Sequence, residues 1–360
     1  MSEPSLSSTA VYSATPAVRV DGQAHDSLQL LLLSMEMREQ EGGMSSLEAR
    51  FSNIASVEGG NSNFAFEDGQ VLKLGAEIAF YSGDETAPKE IFRGKIMGLE
   101  AEFDEGEPPE LVVLAEDAFQ RARMARRTKV YDNATIANLA QTVASNLGLT
   151  PVITALTDNI GTQVQLNESD LAFLRRLLSR YDADLQVVGT EMHVSPRSDV
   201  HRGDVEIAYG SQLRSVRVLA DLSRQVTQVN VTGFDAKQGQ AVTGTSTGKD
   251  AGPGSGQKAA DILPDIGDRK EHIGHLAAVD SGEAQALADA AFDHAARRFL
   301  VAHGTSEGNP SLRVGTYLKL TGIGPRFSNT YYVTEATHRF DMENGYHTEF
   351  RAECAFLGQS

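Results

Sequence analysis

The stretch from Gln165 to Val194, QLNESDLAFLRRLLSRYDADLQVVGTEMHV, constrains the fold more than any other part of the chain. Asn167 or Ser169 can cap a helix whose first N–H groups would otherwise lack acceptors, and Glu168 and Asp170 suit its positive end. Leu171, Leu174, Leu177, Leu178 and Tyr181 recur at helical spacing, which predicts an amphipathic helix. After Asp182 the period changes to two. Leu185 and Val187 precede a Gly189-Thr190 turn and Met192 and Val194 follow it, so a tight hairpin packs against the helix.

Strand patterns dominate from Ala17 to Phe103. Val18 and Val20 alternate with charge, and Leu31, Leu33, Met35 and Met37 share a face opposite Ser34, Glu36 and Arg38. Leu47, Ala49 and Phe51 repeat the device, as do Ile78 with Phe80, and Met97, Leu99, Ala101 and Phe103 set against Glu100 and Glu102. Short strands divided by Gly, Asn and Asp turns point to an antiparallel barrel or sandwich rather than to βαβ units. A second β-rich block starts near Val205, with Val205, Ile207, Tyr209, Val216, Val218, Val229 and Val231. It closes with SLRVGTYLKLTG, NTYYVTEATHRF and GYHTEFRA, the last two joined across an Asn344-Gly345 turn. Between the blocks, DNATIANLAQTVASNLG predicts a helix striped with Ile136, Leu139, Ala140, Val143 and Leu147, capped by Asn133 or Thr135 and stopped by Gly148 and Pro151. A further helix is expected over Ser281 to His303. The Gly-, Ser- and Thr-rich run from Ala236 to Gln257 is expected to be a mobile loop.

A net charge of −17 over 360 residues disfavours contact with nucleic acid or anionic lipid. With no Trp and few aromatics, stacking platforms for sugars or single strands have little to be made from. The one cysteine, Cys354, permits no intrachain disulfide and no thiolate metal site, and reads as a small buried apolar side chain. The start, MSEPSLSSTAVYSATP, lacks a basic region before an apolar run and reads as a flexible arm rather than a signal peptide. Leu28 to Leu33 is too short to span a bilayer. The five basic residues of Arg121 to Lys129, RARMARRTK, suit either a surface for a carboxylate-rich neighbour chain or a solvated helix end. His272 and His275 in EHIGH lack the HExxH pattern of a zinc site, and His338 and His347 read as structural groups on paired strands. No GxSxG, phosphate-cradling or dinucleotide motif occurs, so no catalytic, cofactor-binding or metal residue is assigned and the chain reads as a non-enzyme with no cofactor.

ESDLAFLRRLLSRYDADL with its following hairpin resembles the signature of the phage late control D proteins and of the hub part of type VI secretion spike proteins. These families, and the hubs of extracellular contractile injection systems, share the fold of the contractile-tail baseplate hub. Phe92-Arg93-Gly94 and Glu116-Asp117 stand where that family carries its Phe-x-Gly strand and its Asp-containing exit into a helix, and the last three strands resemble its C-terminal barrel. The resemblance implies a mainly β fold with an α/β insertion. A flexible arm over 1–16 would precede a first β-barrel over 17–120, an α/β domain over 121–200 and a second barrel over 201–360, with the loop at 236–257 and the helix at 281–303. It further implies a structural baseplate hub: a homotrimer whose two similar barrels per chain adapt a six-fold inner tube to a three-fold spike. Its partners would be the inner tube ring, a separate spike protein, baseplate wedge proteins and tube-loaded effectors, with no nucleic acid and no membrane insertion. Such a protein is made in the bacterial cytoplasm and built into a phage tail or a phage tail-like injection particle. The alternatives are a tail-associated cell-wall hydrolase and a glycan-binding β-protein.

Overall fold

Six longer strands build the first β-rich block, β1 (Ala17–Val20), β2 (Leu32–Gln40), β3 (Ser46–Ser52), β4 (Glu77–Ser82), β5 (Lys89–Glu102) and β6 (Glu110–Glu116), beside short strands at Gln23–Ala24, Ile54–Ser56 and Ser62–Phe64. The structure, a computed structural model, describes residues 15–56, 62–67, 69–82, 88–236, 238–274, 278 and 280–358. Residues 1–14 of the expected arm and His275 therefore lie outside the described residues. The strands lie in the order β2-β3-β6-β5-β4-β1, every pair antiparallel. Alternation places Met35, Met37, Leu47, Ala49, Phe51, Ile78, Phe80 and Val113 in one buried core. The expected face of Leu31 and Leu33 needs correction. Leu28 is buried on a short helix, α1 (Asp26–Leu31), and a bulge between Leu32 and Ser34 turns Leu32 inward beside Phe51.

The segment that follows carries α2 (Gln120–Met124), β7 (Arg126–Tyr131), α3 (Ile136–Leu147), β8 (Thr150–Ile153), β9 (Gln163–Ser169), α4 (Asp170–Leu178), β10 (Ala183–Val188) and β11 (Glu191–Pro196). The caps fall where side-chain oxygens can meet orphan N–H groups: Thr135 accepts from Asn138 and Ser169 from Ala172. Gly148, at φ +74°, ends α3 in the left-handed conformation that a side chain would strain. β10 and β11 form the hairpin, β8 joins β11 in parallel, and β7 and β9 form a separate ribbon. Leu139, Val143, Leu171, Leu174, Leu177, Leu185, Met192 and Val194 fill the core between α3, α4 and the sheet. Each such side chain contributes roughly 1.5–3 kcal/mol by leaving water.

The second β-rich block begins with β12 (Asp204–Ala208) and β13 (Leu213–Ala220). It is interrupted by β14 (Gln228–Asp235), β15 (Gln240–Ser246), β16 (Lys270–Ile273) and α5 (Ser281–Arg297), and resumes with β17 (Leu300–Glu307), β18 (Tyr317–Thr321), β19 (Asn329–Asp341) and β20 (Gly345–Cys354). Two expectations are overturned here. The run from Ala236 to Gln257 is not a mobile loop: β15 pairs with β14 throughout, and the amides of Lys249 and Asp250 donate to the Asp293 carboxylate. Its small residues have a packing reason, since a Cβ at Gly244 would sit 2.2 Å from the Ala284 carbonyl oxygen of α5. The helix stops at Arg297 rather than His303, because from Leu300 onward apolar residues alternate and enter β17.

Leaving out that interruption, the second block has the order β13-β17-β20-β19-β18-β12. Counting only the six longer strands of each, both blocks place their second strand beside the third, the third beside the sixth, then the fifth, fourth and first. Irregularities also coincide. β2 slips against β3 between Leu32 and Ser34, and β13 against β17 between Leu213 and Ser215. β5 slips against β6 between Ile96 and Gly98, and β19 against β20 between Val333 and Glu335. The chain thus holds one architecture twice. The units also differ: β1 runs antiparallel to β4, whereas β12 runs parallel to β18, and β4 slips against β5 between Phe80 and Tyr81, whereas β18 and β19 pair without a slip. The two units are not separate bodies, because β19 pairs with β2 and merges them into one sheet.

Candidate functional site

Two ends of the merged sheet differ from its middle. The first part of β19, Asn329 to Tyr332, pairs with β18, and the second part, Glu335 to Asp341, pairs with β2. In the first unit, Lys89 to Lys95 of β5 pair with β4 in the same way. From Gly98 onward, β5 has β6 on one side and, among the described residues, no strand on the other. At the opposite end, β13 pairs with β17 and, among the described residues, otherwise through one bridge from Tyr209 to Leu213. Its counterpart β2 has a neighbour on both sides. Apolar side chains gather on these ends: Leu99 is 37% exposed, Phe103 64% and Leu219 52%. Unpaired strand edges with apolar side chains are templates for another strand.

Between the units, and beneath the α/β segment, lies a buried ionic junction. Glu39 continues the inward face of Met35 and Met37 and is nearly fully buried. Arg313, between β17 and β18, donates Nε to its Oε1 at 2.8 Å and a second guanidinium nitrogen to its Oε2 at 2.6 Å. The Val314 amide donates to Oε1 at 2.7 Å, and Gln186 of β10 reaches Oε2 at 3.4 Å. Burial pushes the Glu39 carboxyl up, but Arg313 and the amide outweigh it and hold it below its ordinary value. Arg197, after β11, sits 4.0 Å over the Tyr332 ring and pairs with Glu41 at 2.7 Å. Burial, with Asp184 and Glu353 nearby, raises Glu41 to about 7 despite Arg197. Arg202 pairs with Asp184, Arg297 with Asp182, and Arg298 with Glu353 at 3.3 Å. Elements that pack in each of the four cores therefore carry members of these neighbouring pairs, most of them buried, while Arg298 keeps 46% of its side-chain exposure. Such a network fixes orientation more than it adds stability, because each ion pair must first repay its desolvation.

This junction escaped sequence reasoning. Its signal was Glu39 itself, a carboxylate at the buried phase of an alternating strand. The residues the sequence did single out scatter. The basic run covers α2 and β7, with Arg123 on Glu116 and Arg127 on Asp170. His272 meets Thr232 at 3.2 Å, while His338 is buried against the Tyr346 hydroxyl and lowered by burial to about 3. Cys354 is buried and its thiol raised to about 12 by burial. Among the described residues no group of three or more His, Cys, Asp or Glu could hold a metal, and no helix is long and apolar enough to cross a membrane.

A family model described as the Alg8 N-terminal domain matches residues 46–341. No curated protein matches the chain. Among solved structures, the fold is similar to the 43 kDa tail protein of prophage MuSo2 from Shewanella oneidensis, at 11% identity and TM-score 0.69 over 94% of this chain and 97% of that one. It is similar to the tail protein from Neisseria meningitidis MC58, at 11% identity and TM-score 0.64 over 94% and 97%. It is also similar to the E. coli c3393 protein, a component of the type VI secretion system, at 14% identity and TM-score 0.55 over 95% and 77%. Three proteins so distant in sequence share one fold with this chain, the baseplate hub-like fold that the helix and hairpin at Gln165 to Val194 lead one to expect.

Proposed function

Because the chain belongs to the Alg8 N-terminal domain family and has the fold of phage tail proteins, we propose that it is a structural baseplate hub, a homotrimer adapting a six-fold tube to a three-fold spike. The observation that carries this reading is the duplicated unit. Three copies of a chain with two units of the same strand order present six near-equivalent positions while keeping threefold symmetry. A part that transmits contraction needs broad strand-rich contacts and units that do not swing against each other. The β19–β2 pairing and the ionic junction meet that need. Its partners are an inner tube ring on one side and a spike protein on the other, within a tail or tail-like particle, and its role is mechanical rather than enzymatic.

The test is assembly of the chain with the tube and spike proteins of the same particle. Light scattering should give three copies, and electron microscopy a ring with a central opening bound to both partners. A chain that stays single with both present overturns the proposal.

A further inference from the structure

The molecule contains one unit-to-unit contact already made, and the two halves of the same contact unmade at its ends. We infer that β5 of one copy pairs antiparallel with β13 of the next, in the register that β19 and β2 use within the chain. This rests on the ring assembly proposed above and names its interchain contact.

The coincident bulges fix the equivalence residue by residue. Val333 corresponds to Ile96 and Glu335 to Gly98, so Ala336, His338, Arg339 and Phe340 correspond to Leu99, Ala101, Glu102 and Phe103. Likewise Leu32 corresponds to Leu213 and Ser34 to Ser215, so Met35, Glu36, Met37 and Glu39 correspond to Val216, Arg217, Val218 and Ala220. Within the chain, Ala336 lies opposite Glu39, His338 opposite Met37, Arg339 opposite Glu36 and Phe340 opposite Met35. Transferred to the open ends, that register sets Leu99 opposite Ala220, Ala101 opposite Val218, Glu102 opposite Arg217 and Phe103 opposite Val216.

The chemistry of these pairs fits a strand contact. Three of the four are apolar on both sides, on the face that points to the core in each unit. Ala336, His338 and Phe340 are buried beside β2, whereas their counterparts Leu99 and Phe103 are 37% and 64% exposed, with the Phe64 ring edge-on to Phe103 at 5.9 Å. Met35 and Met37 are buried, while Val216 and Val218 are only half-buried. The fourth pair is Glu102, which already meets Arg50 at 2.7 Å within the chain, with Arg217, where the chain has Arg339 with Glu36: an ion pair with its charges exchanged. The contact joins unlike edges, so each copy offers one half to either neighbour and the assembly closes as a ring when the rotation allows. The occupant of both edges is a second copy of this chain.

Disulfide trapping in the assembled full chain tests the register. Ala101→Cys with Val218→Cys should oxidise to covalently closed rings, and Ala101→Cys with Ala220→Cys, two residues out of register, should link far less. In parallel, Arg217→Glu should weaken association about tenfold or more by setting two carboxylates face to face, and adding Glu102→Arg should restore it. The folding of each variant is checked on the isolated chain by its unfolding midpoint. Trimers that form without the 101–218 link, that link equally out of register, or that ignore the charge exchange overturn the junction and leave the hub reading standing. Cross-linking of position 101 to the tube protein instead would also overturn it. A chain that remains single beside its tube and spike removes both.

Discussion

Replacing Glu39 by Gln separates the two roles of the buried junction. The amide keeps the shape and an acceptor for the Val314 N–H, but leaves the Arg313 guanidinium without its counter-charge. Removing one partner of a buried pair costs about 3–5 kcal/mol. Arg313 retains 22% of its side-chain exposure, so partial hydration favours the lower end, about 3 kcal/mol. The pH dependence gives an independent check. The folded Glu39 carboxyl titrates below its ordinary 4.5, so its contribution is fully present above that pH and is lost as pH falls through the folded value. Urea unfolding of the isolated chain at pH 7 should therefore show Glu39→Gln less stable by about 3 kcal/mol, with the gap from the parent protein narrowing below about pH 4.5. Glu39→Leu with Arg313→Met should recover most of the loss, since an apolar pair carries no desolvation cost. A gap under about 1 kcal/mol at pH 7, typical of exposed pairs, would refute the reasoning, as would one that does not narrow in acid.

Gly94→Ala should lower stability by about 1–3 kcal/mol, because its Cβ would lie 2.2 Å from the Glu116 backbone oxygen and β5 would have to part from β6. Gly98→Ala first meets the Leu114 side chain, at 3.2 Å, and should cost clearly less; equal shifts in the urea midpoint would refute the distinction. The Cys354 thiol, buried and raised to about 12, should resist a chromogenic disulfide reagent at pH 8 in the folded chain and react fully in denaturant. Reaction of the folded chain at the rate of a free thiol would show that the C-terminal strand is not closed.

Local pattern carried most of the elements. Ser169, Thr135 and Gly148 cap and stop helices where their chemistry indicates, and the period change after Asp182 marks the hairpin. What pattern could not carry is the partner of each strand. The alternation of Leu99, Ala101 and Phe103 announces a half-buried strand, yet beyond Gly98 that strand has no second neighbour among the described residues. Gly244 and its small neighbours read as a loop by composition, when their smallness serves a close approach to α5. The duplication was legible as two β-rich blocks, but its exactness rests on bulges, and a bulge leaves no mark in composition.

The interruption between β13 and β17, which builds β14, β15, β16 and α5 on a small core of its own, has no counterpart between β2 and β3, where the chain turns within 41–45. A protein that touched only the strands common to both halves would find two alike footholds on every molecule. One that gripped the α5 hairpin layer, or the odd direction of β12, would find a single foothold. The same polypeptide can so be counted twice from one approach and once from another, and the choice is written into where the extra residues were inserted.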